Sequence, residues 1–441
     1  MQGTARRAIF AAALAGLLFG FDTAVVAGVA TPMADEFGLD ETGKGLAIAS
    51  ALVGTLIGSL SAGVPGDRYG SRTVLLWVGV AFVLSGIGCA LASGVTSFVA
   101  FRLLGGLAIG GASVLAPVFI AEVSPAERRG LLVGLFQLSV VSGILAAYLS
   151  NAAVTQLVPG PAAWRWKLGV LVVPGAVFLA AMAAIPHSPR WLLSKGRTDE
   201  ARAVATRLGL TDLRFDAAPD RGARLDWRRH RTPILLALAV ASFNQLSGIN
   251  AILYYLNDIF AAAGFSAVSA DLQSIGIGVA NLCATLFAMT IIDRVGRRVL
   301  LLVGSVGCAV ALFGVALVYS TTGAEAWLLP LLVLFIVFFA ISQGAVIWVY
   351  ISEIFPTAVR ARGQALGSAT HWIWATILSF GFPVVAEGMA PAAPFWLFAG
   401  AMVLQFVIVW RFFPETKGVV LEDMDAALVA GRNHHQEKPV G

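Results

Sequence analysis

Twelve runs of about 20 predominantly apolar residues fill most of this 441-residue chain, and that is the length a helix needs to cross a bilayer. With soft edges they cover 8–30, 45–65, 73–92, 97–121, 131–153, 168–185, 233–258, 270–292, 299–320, 327–352, 364–387 and 395–413. Only 12% of residues are charged, against about 25% in soluble domains, too few to cover a water-soluble fold of this size. The expected class is an all-α membrane protein with twelve transmembrane helices. The opening "MQGTARRAIFAAALAGLLFGFD" could pass for a signal peptide. Its apolar run continues past the usual length with no clear cleavage site before Asp22, so it is read as a retained span.

A long polar interruption, 186–232, divides the spans six and six. An even count puts both termini on one side. On this map one side holds 26 of the 30 Lys and Arg residues; the exceptions are Lys44, Arg102, Arg165 and Lys167. The positive-inside rule makes the rich side cytoplasmic, in the cell (inner) membrane. The net charge of +5 therefore reports topology, and no nucleic-acid partner is expected. Five His and three Cys build no metal site or disulfide framework, and no cofactor is expected. Cys89, Cys283 and Cys308 lie in apolar runs and read as small core residues.

The halves repeat one another. "GDRYGSR" (66–72) recurs as "DRVGRR" (293–298), and "AEVSPAERRG" (121–130) as "SEIFPTAVRARG" (352–363). Asp67 and Asp293 are 226 residues apart; Glu122 and Glu353 are 231 apart. Matching motifs in matching loops indicate a parallel duplication of a six-span unit. Such repeats are typical of transporters, whose substrate sites lie between the repeats near the midplane. The expected organisation is an N-terminal six-helix bundle (1–185), a cytoplasmic linker with short helices (186–232), a C-terminal six-helix bundle (233–413) and a cytoplasmic tail (414–441).

Taken together these motifs resemble the sugar porter family of the major facilitator superfamily. The likeness runs through "GFD" (20–22), "GDRYGSR", "RLLGG" (102–106), "PVFIAEVSPAERRG" (117–130) and "PHSPRWL" (186–192). It continues through "NQLSGIN" (244–250), "DRVGRR", "SEIFP" (352–356) and "PETKG" (414–418). The resemblance implies the major facilitator fold, two six-helix pseudo-repeats, working as a monomer. The chain departs from the family's pattern at His187, where Glu is usual, and at Asn244, where Gln is usual. It departs again at Gly344-Ala345 in place of Gly-Pro, and at His371, where bacterial relatives commonly carry an amide.

Asp22 is the only acid inside the first span and Arg102 the only base inside the fourth. Each alone is expensive in a membrane; together they can neutralise one another. One reading is a proton site, because burial raises a carboxyl's proton affinity and a nearby Arg lowers it. The other is a static ion pair locking two helices. The resemblance favours proton coupling, since an Asp occupies this position in proton-coupled members. Phe21 and Thr23 flank it.

The seventh span supplies Asn244, Gln245 and Asn250, then Tyr254, with Gly248 interrupting it. Asn and Gly are poor helix formers, so local unwinding is expected. Amides donate and accept, which suits sugar hydroxyls, although they also bond neighbouring helices. By resemblance Asn244, Gln245, Asn250 and Tyr254 match sugar-contacting positions. Gln137 in the fifth span and Asn281 in the eighth are either further sugar contacts or interhelical bonds. Trp348 is either an interfacial belt residue or, as the resemblance implies, a platform stacking on a sugar ring. His371, beside Trp372, can contact sugar, titrate, or bond a neighbouring helix.

Arg72, Glu122, Arg129, Arg297, Arg298, Glu353 and Arg360 sit at cytoplasmic span ends. The Arg serve orientation, but Glu does not contribute to it. The resemblance makes them a cytoplasmic gate of salt bridges, weakened at His187.

The leading expectation is a proton-coupled symporter importing a monosaccharide, hexose or pentose, by alternating access. Its partners would be sugar, protons and the lipid bilayer. The alternatives are a sugar or polyol (inositol) facilitator without proton coupling, and a transporter-like sugar sensor. An enzyme is not expected: the spans carry no paired carboxylates, metal-ligand cluster or nucleophile–His arrangement.

Overall fold

The computed structural model describes residues 3–125, 129–210, 225–355 and 359–417. Among these residues twelve helices are long and apolar enough to cross a membrane, and none forms a strand. The spans run Gly3–Gly28, Glu41–Ser61, Ser71–Ala90, Val95–Glu122, Leu132–Leu157, Ala163–Ala183, Arg231–Tyr254, Ala267–Ile292, Arg297–Ser320, Glu325–Ile354, Arg362–Gly388 and Ala393–Phe412. Each lies close to a run read from the sequence. Large apolar side chains remain exposed along them, as Val303, Val306, Val310 and Phe313 do on the ninth span. That is the pattern a lipid-facing surface requires, since hydrocarbon is as apolar as a protein core. The same indifference explains Cys283. The sequence reading made it a core residue, yet it is exposed, while Cys89 and Cys308 are buried. An apolar run in a membrane helix does not say which face turns inward.

Local chemistry explains the ends and breaks. The second span starts at Asp40, whose carboxylate accepts from the Gly43 N–H at 2.7 Å, an N-cap. The seventh span breaks at Gly248, where φ is +82°; that left-handed conformation suits glycine. Its last turns run separately, as Ile249–Tyr254, and a further helix, Leu256–Ala262, follows. The tenth span contains a π-helical turn, Ala340–Gly344. Between the halves, Pro189–Ser194 and Thr198–Leu208 are short helices. The second is amphipathic, burying Ala201, Ala205 and Leu208 at helical spacing.

The helices gather into two compact units. One holds the first six spans together with Asn250–Leu282 and Ala375–Glu387; the other holds the seventh span up to Ile249, Cys283–Trp374 and the chain from Gly388. In the first unit small residues let helices approach closely. Gly20 lies against the backbone of Val140, and Gly106 against that of Ala51, so a side chain at either would collide. The second unit is built around a cluster that includes Val240, Leu301, Ile347, Tyr350, Ile351 and Phe413.

Candidate functional site

In the first unit Arg102 Nη1 donates to Asp22 Oδ1 at 2.7 Å, and the two side chains are 1% and 2% exposed. Around the pair, glycines let these two helices pack closely on others: Gly16 and Gly20 lie against Phe136 and Val140, and Gly106 and Gly110 against Ala51 and Thr55. Arg102 Nε and Nη2 have no hydrogen-bond partner among the described residues, so one guanidinium faces its carboxylate with donors to spare. Tyr254, 3% exposed, lies close enough to Asp22, Arg102 and the Thr23 side chain to feel all three. Thr23 also donates to the Phe19 carbonyl at 2.9 Å. Tyr254 is thereby brought to the ion pair, a neighbour the sequence did not reveal. Asn281 is buried, whereas Gln137 and Asn250 are half-buried. Phe21 is buried beside Asp22 in the chain.

The second unit collects the other polar positions. Asn244 and Gln245 are 3% and 1% exposed. Asn244 Nδ2 donates to the Gln343 carbonyl at 3.3 Å, and Gln245 Nε2 donates to Asn244 Oδ1 at 3.2 Å. Gln245 Nε2 also lies 3.2 and 3.1 Å from the two ring nitrogens of His371. The Trp348 and His371 rings are 5.3 Å apart between centroids, and His371 meets Trp372 edge-on at 4.8 Å. Asn244, Gln245, Trp348 and His371 therefore form one aromatic-and-amide cluster. The geometry is able to hydrogen-bond hydroxyls and present an aromatic face to an apolar one. The break at Gly248 separates Asn244 and Gln245 from Asn250 and Tyr254, which belong to the first unit.

The candidate gate residues show the duplication in atomic detail. Arg72 Nη2 donates to the Ala183 carbonyl at 2.9 Å, at the end of the sixth span. Its repeat partner Arg298 donates through Nη2 to the Trp410 carbonyl at 2.6 Å, near the end of the twelfth. Gly70 and Gly296 precede the third and ninth spans with φ of +86° and +102°. Arg297 grips Glu353 with two bonds, Nε to Oε2 at 3.1 Å and Nη2 to Oε1 at 2.8 Å, the fork geometry that strengthens such pairs. Thr416 Oγ1 adds a bond to Glu353 at 2.6 Å. Glu415 accepts from the Arg297 and Arg298 backbone N–H groups at 2.8 and 3.1 Å, an anion on a helix N-terminus. Glu415 and Thr416 were visible only as letters of "PETKG"; their roles needed the fold. Arg129 and Arg360 have side chains outside the described residues.

Among the described residues the first repeat keeps a hydroxyl on its glutamate, Ser188 on Glu122, but differs at the other two positions. Ser71 stands where Arg297 stands, and one Glu122 oxygen, Oε2, is buried with no partner among the described residues. His187 takes the place of Glu415 beside Gly70 and stacks on Trp191 at 4.8 Å. Burial, then the positive charges of Arg72 and Arg197, push its imidazole below the usual value. It is a neutral ring where the second repeat has a carboxylate.

The bases that broke the charge pattern are also accounted for. Besides Arg102, Lys44 Nζ lies 2.7 Å from Glu41 and 3.4 Å from Asp258. Arg165 pairs with Glu36 at 2.5 Å, and Lys167 with Asp271 at 3.6 Å. Thr155 and Asn257 donate to the Asp271 carboxylate at 2.6 Å each. All four exceptions sit against acids.

Residues 8–428 match the family model described as "Sugar (and other) transporter". This chain belongs to that family. It is 33% identical over 462 residues to the D-xylose-proton symporter of Escherichia coli (strain K12), covering 94% of each chain. It is 34% identical over 432 residues to the glucose transporter GlcP of Staphylococcus epidermidis, covering 94% of this chain and 95% of that one. Among solved structures it matches the partially occluded inward-open xylose transporter XylE from Escherichia coli with a TM-score of 0.85 at 30% identity, covering 95% of this chain and 99% of that one. The fold is thus that of the major facilitator superfamily: an integral membrane transporter of twelve helices, not an enzyme.

Proposed function

We propose that this protein is a proton-coupled symporter that imports a monosaccharide, hexose or pentose, by alternating access. The observation carrying the proposal is the sealed Asp22–Arg102 pair with Tyr254 at its side. A charged pair held at that depth is costly unless both charges are present. Protonating Asp22 removes one of them and leaves Arg102 uncompensated, so the pair has reason to rearrange when a proton arrives. Tyr254, next to the pair, would also touch the sugar, which links the two events. In the second unit Asn244, Gln245 and His371 supply hydrogen bonds to sugar hydroxyls and Trp348 a stacking face; Gln137, Asn250 and Asn281 of the first unit are each proposed as sugar contacts as well. The names of the similar proteins, a xylose-proton symporter and a glucose transporter, support this substrate class.

The remaining assignments follow from the same frame. Both termini are cytoplasmic, in the cell membrane, and one chain suffices for transport. Residues 1–185 and 233–413 act as the two repeats, joined by 186–232. Arg72, Glu122 and Arg129, with Arg297, Arg298, Glu353 and Arg360, are assigned to a cytoplasmic gate that must open with the inward mouth.

The test is uptake of labelled monosaccharides into vesicles with and without an inward proton gradient. Accumulation that an uncoupler collapses supports symport. Uptake that only equilibrates, whatever the gradient, overturns it in favour of the facilitator.

A further inference from the structure

Gln343 and Gln405 are single amides in apolar runs, and nothing in the sequence marks them. Both are 1% exposed. Gln343 Nε2 donates to Gln405 Oε1 at 2.9 Å and touches the Met402 sulfur at 3.2 Å. Gln343 lies in the π-helical turn of the tenth span, a distortion that tends to occur at functional positions. The amide pair ties that turn to the twelfth span, and so fixes where the Gln343 backbone carbonyl points.

That carbonyl sets a direction. It can only accept, so Asn244 must present Nδ2 to it. Asn244 Oδ1 then faces Gln245, and because it too can only accept, Gln245 must present Nε2. The same Nε2 faces the His371 ring, which receives a hydrogen on an unprotonated nitrogen. What remains is Gln245 Oε1, buried and without a partner among the described residues.

We propose that Gln343 and Gln405 are positioning residues that fix the polarity of Asn244 and Gln245, so that the site offers Gln245 Oε1 as an acceptor and selects a substrate hydroxyl able to donate to it. This rests on the reading of Gln245 as a sugar-binding residue. It assigns a chemical requirement to the substrate: at one ring position the group must carry an O–H, not merely an acceptor.

The experiment measures binding of D-xylose, D-glucose and their monodeoxyfluoro analogues to the purified full chain, with transport kinetics alongside. Fluorine accepts weakly and cannot donate, so at one ring position it should weaken binding roughly tenfold. Gln405→Met keeps the length of the side chain and removes its acceptor. It should raise KM about fivefold with the maximal rate little changed, and Gln405→Glu, which retains an acceptor oxygen, should recover most of the loss. In an Asn244→Ala background Gln405→Met should add nothing, because it acts through Asn244. Gln343→Met serves as the second variant if Gln405→Met fails to fold. Fluorine tolerated at every position overturns the polarity. KM within about twofold of native in the Met variants overturns the positioning role. Gln245→Ala separates the failures: if it abolishes binding while the Met variants behave as native, only this inference falls; if it binds like native protein, the sugar-site reading falls with it.

Discussion

Arg102 reaches Asp22 across 2.7 Å inside the first unit, and neither side chain is more than 2% exposed. Two single charges on the first and fourth spans thus find each other in a fully buried place. Removing either has different consequences. Asp22→Asn keeps the size and removes the titrating group, so counterflow of sugar should continue while accumulation stops. One charge crossing about 100 mV supplies roughly 2.3 kcal/mol, about fortyfold in concentration, and that factor should be lost. Arg102→Leu leaves a buried carboxylate unpaired and should cost roughly 3–5 kcal/mol of stability. Counterflow and pH-driven uptake in the same vesicles, with thermal unfolding in detergent, check both. Continued accumulation by Asp22→Asn would make the pair structural.

Lys167 and Asp271 form a second buried pair, 8% and 3% exposed. Lys167→Met should lower stability by about 3 kcal/mol, because Asp271 is left uncompensated. Adding Asp271→Asn should recover much of that loss. A double variant no more stable than the single one would mean that the hydrogen bonds from Thr155 and Asn257 matter more than the charge.

Glu415 and His187 occupy repeat-related places, and only the carboxylate suits a helix N-terminus. His187→Glu should stabilise the protein by about 1 kcal/mol by placing an anion at the start of the third span. It should also slow opening of the proposed gate. The unfolding midpoint and the labelling rate of a cytoplasmic-mouth cysteine are the readouts; a destabilised variant would contradict the repeat logic.

The same histidine gives a pH dependence with a definite sign. Its folded value is lowered by burial, Arg72 and Arg197. Between that lowered value and about 6.5 the unfolded chain binds more protons than the folded one, so stability rises with pH. The contribution is present above about 6.5 and is lost as pH falls through this window. His187→Gln should flatten that part of the stability profile, measured by thermal unfolding from pH 7.5 to 5.

Asn250 and Trp348 test the proposed sugar contacts. Asn250→Ala should weaken sugar binding by about 1–3 kcal/mol in a monodisperse protein. Trp348→Ala should weaken it more than Trp348→Phe, because stacking needs a ring face and not an indole N–H. Calorimetry with D-xylose and D-glucose decides. Equal losses for both Trp348 substitutions would point instead to a hydrogen bond from the N–H.

The sequence alone determined the spans, their number and the sided distribution of charge, because each is a one-dimensional property: an apolar run either is or is not long enough to cross lipid, and Lys and Arg concentrate on one side of it. It also pointed to Asp22 with Arg102, since each was the only charge of its sign in its span. Packing alone decided the rest. Lys44, Arg165 and Lys167 read as exceptions to the charge pattern, and that they also meet Asp258, Glu36 and Asp271, all distant in the chain, only the fold reveals. Cys283 could not be assigned a face, because lipid and core are equally apolar to it. Gln343 stayed invisible for a plainer reason: its contribution is a backbone carbonyl, which every residue has, and only the π-turn and Gln405 aim it at Asn244.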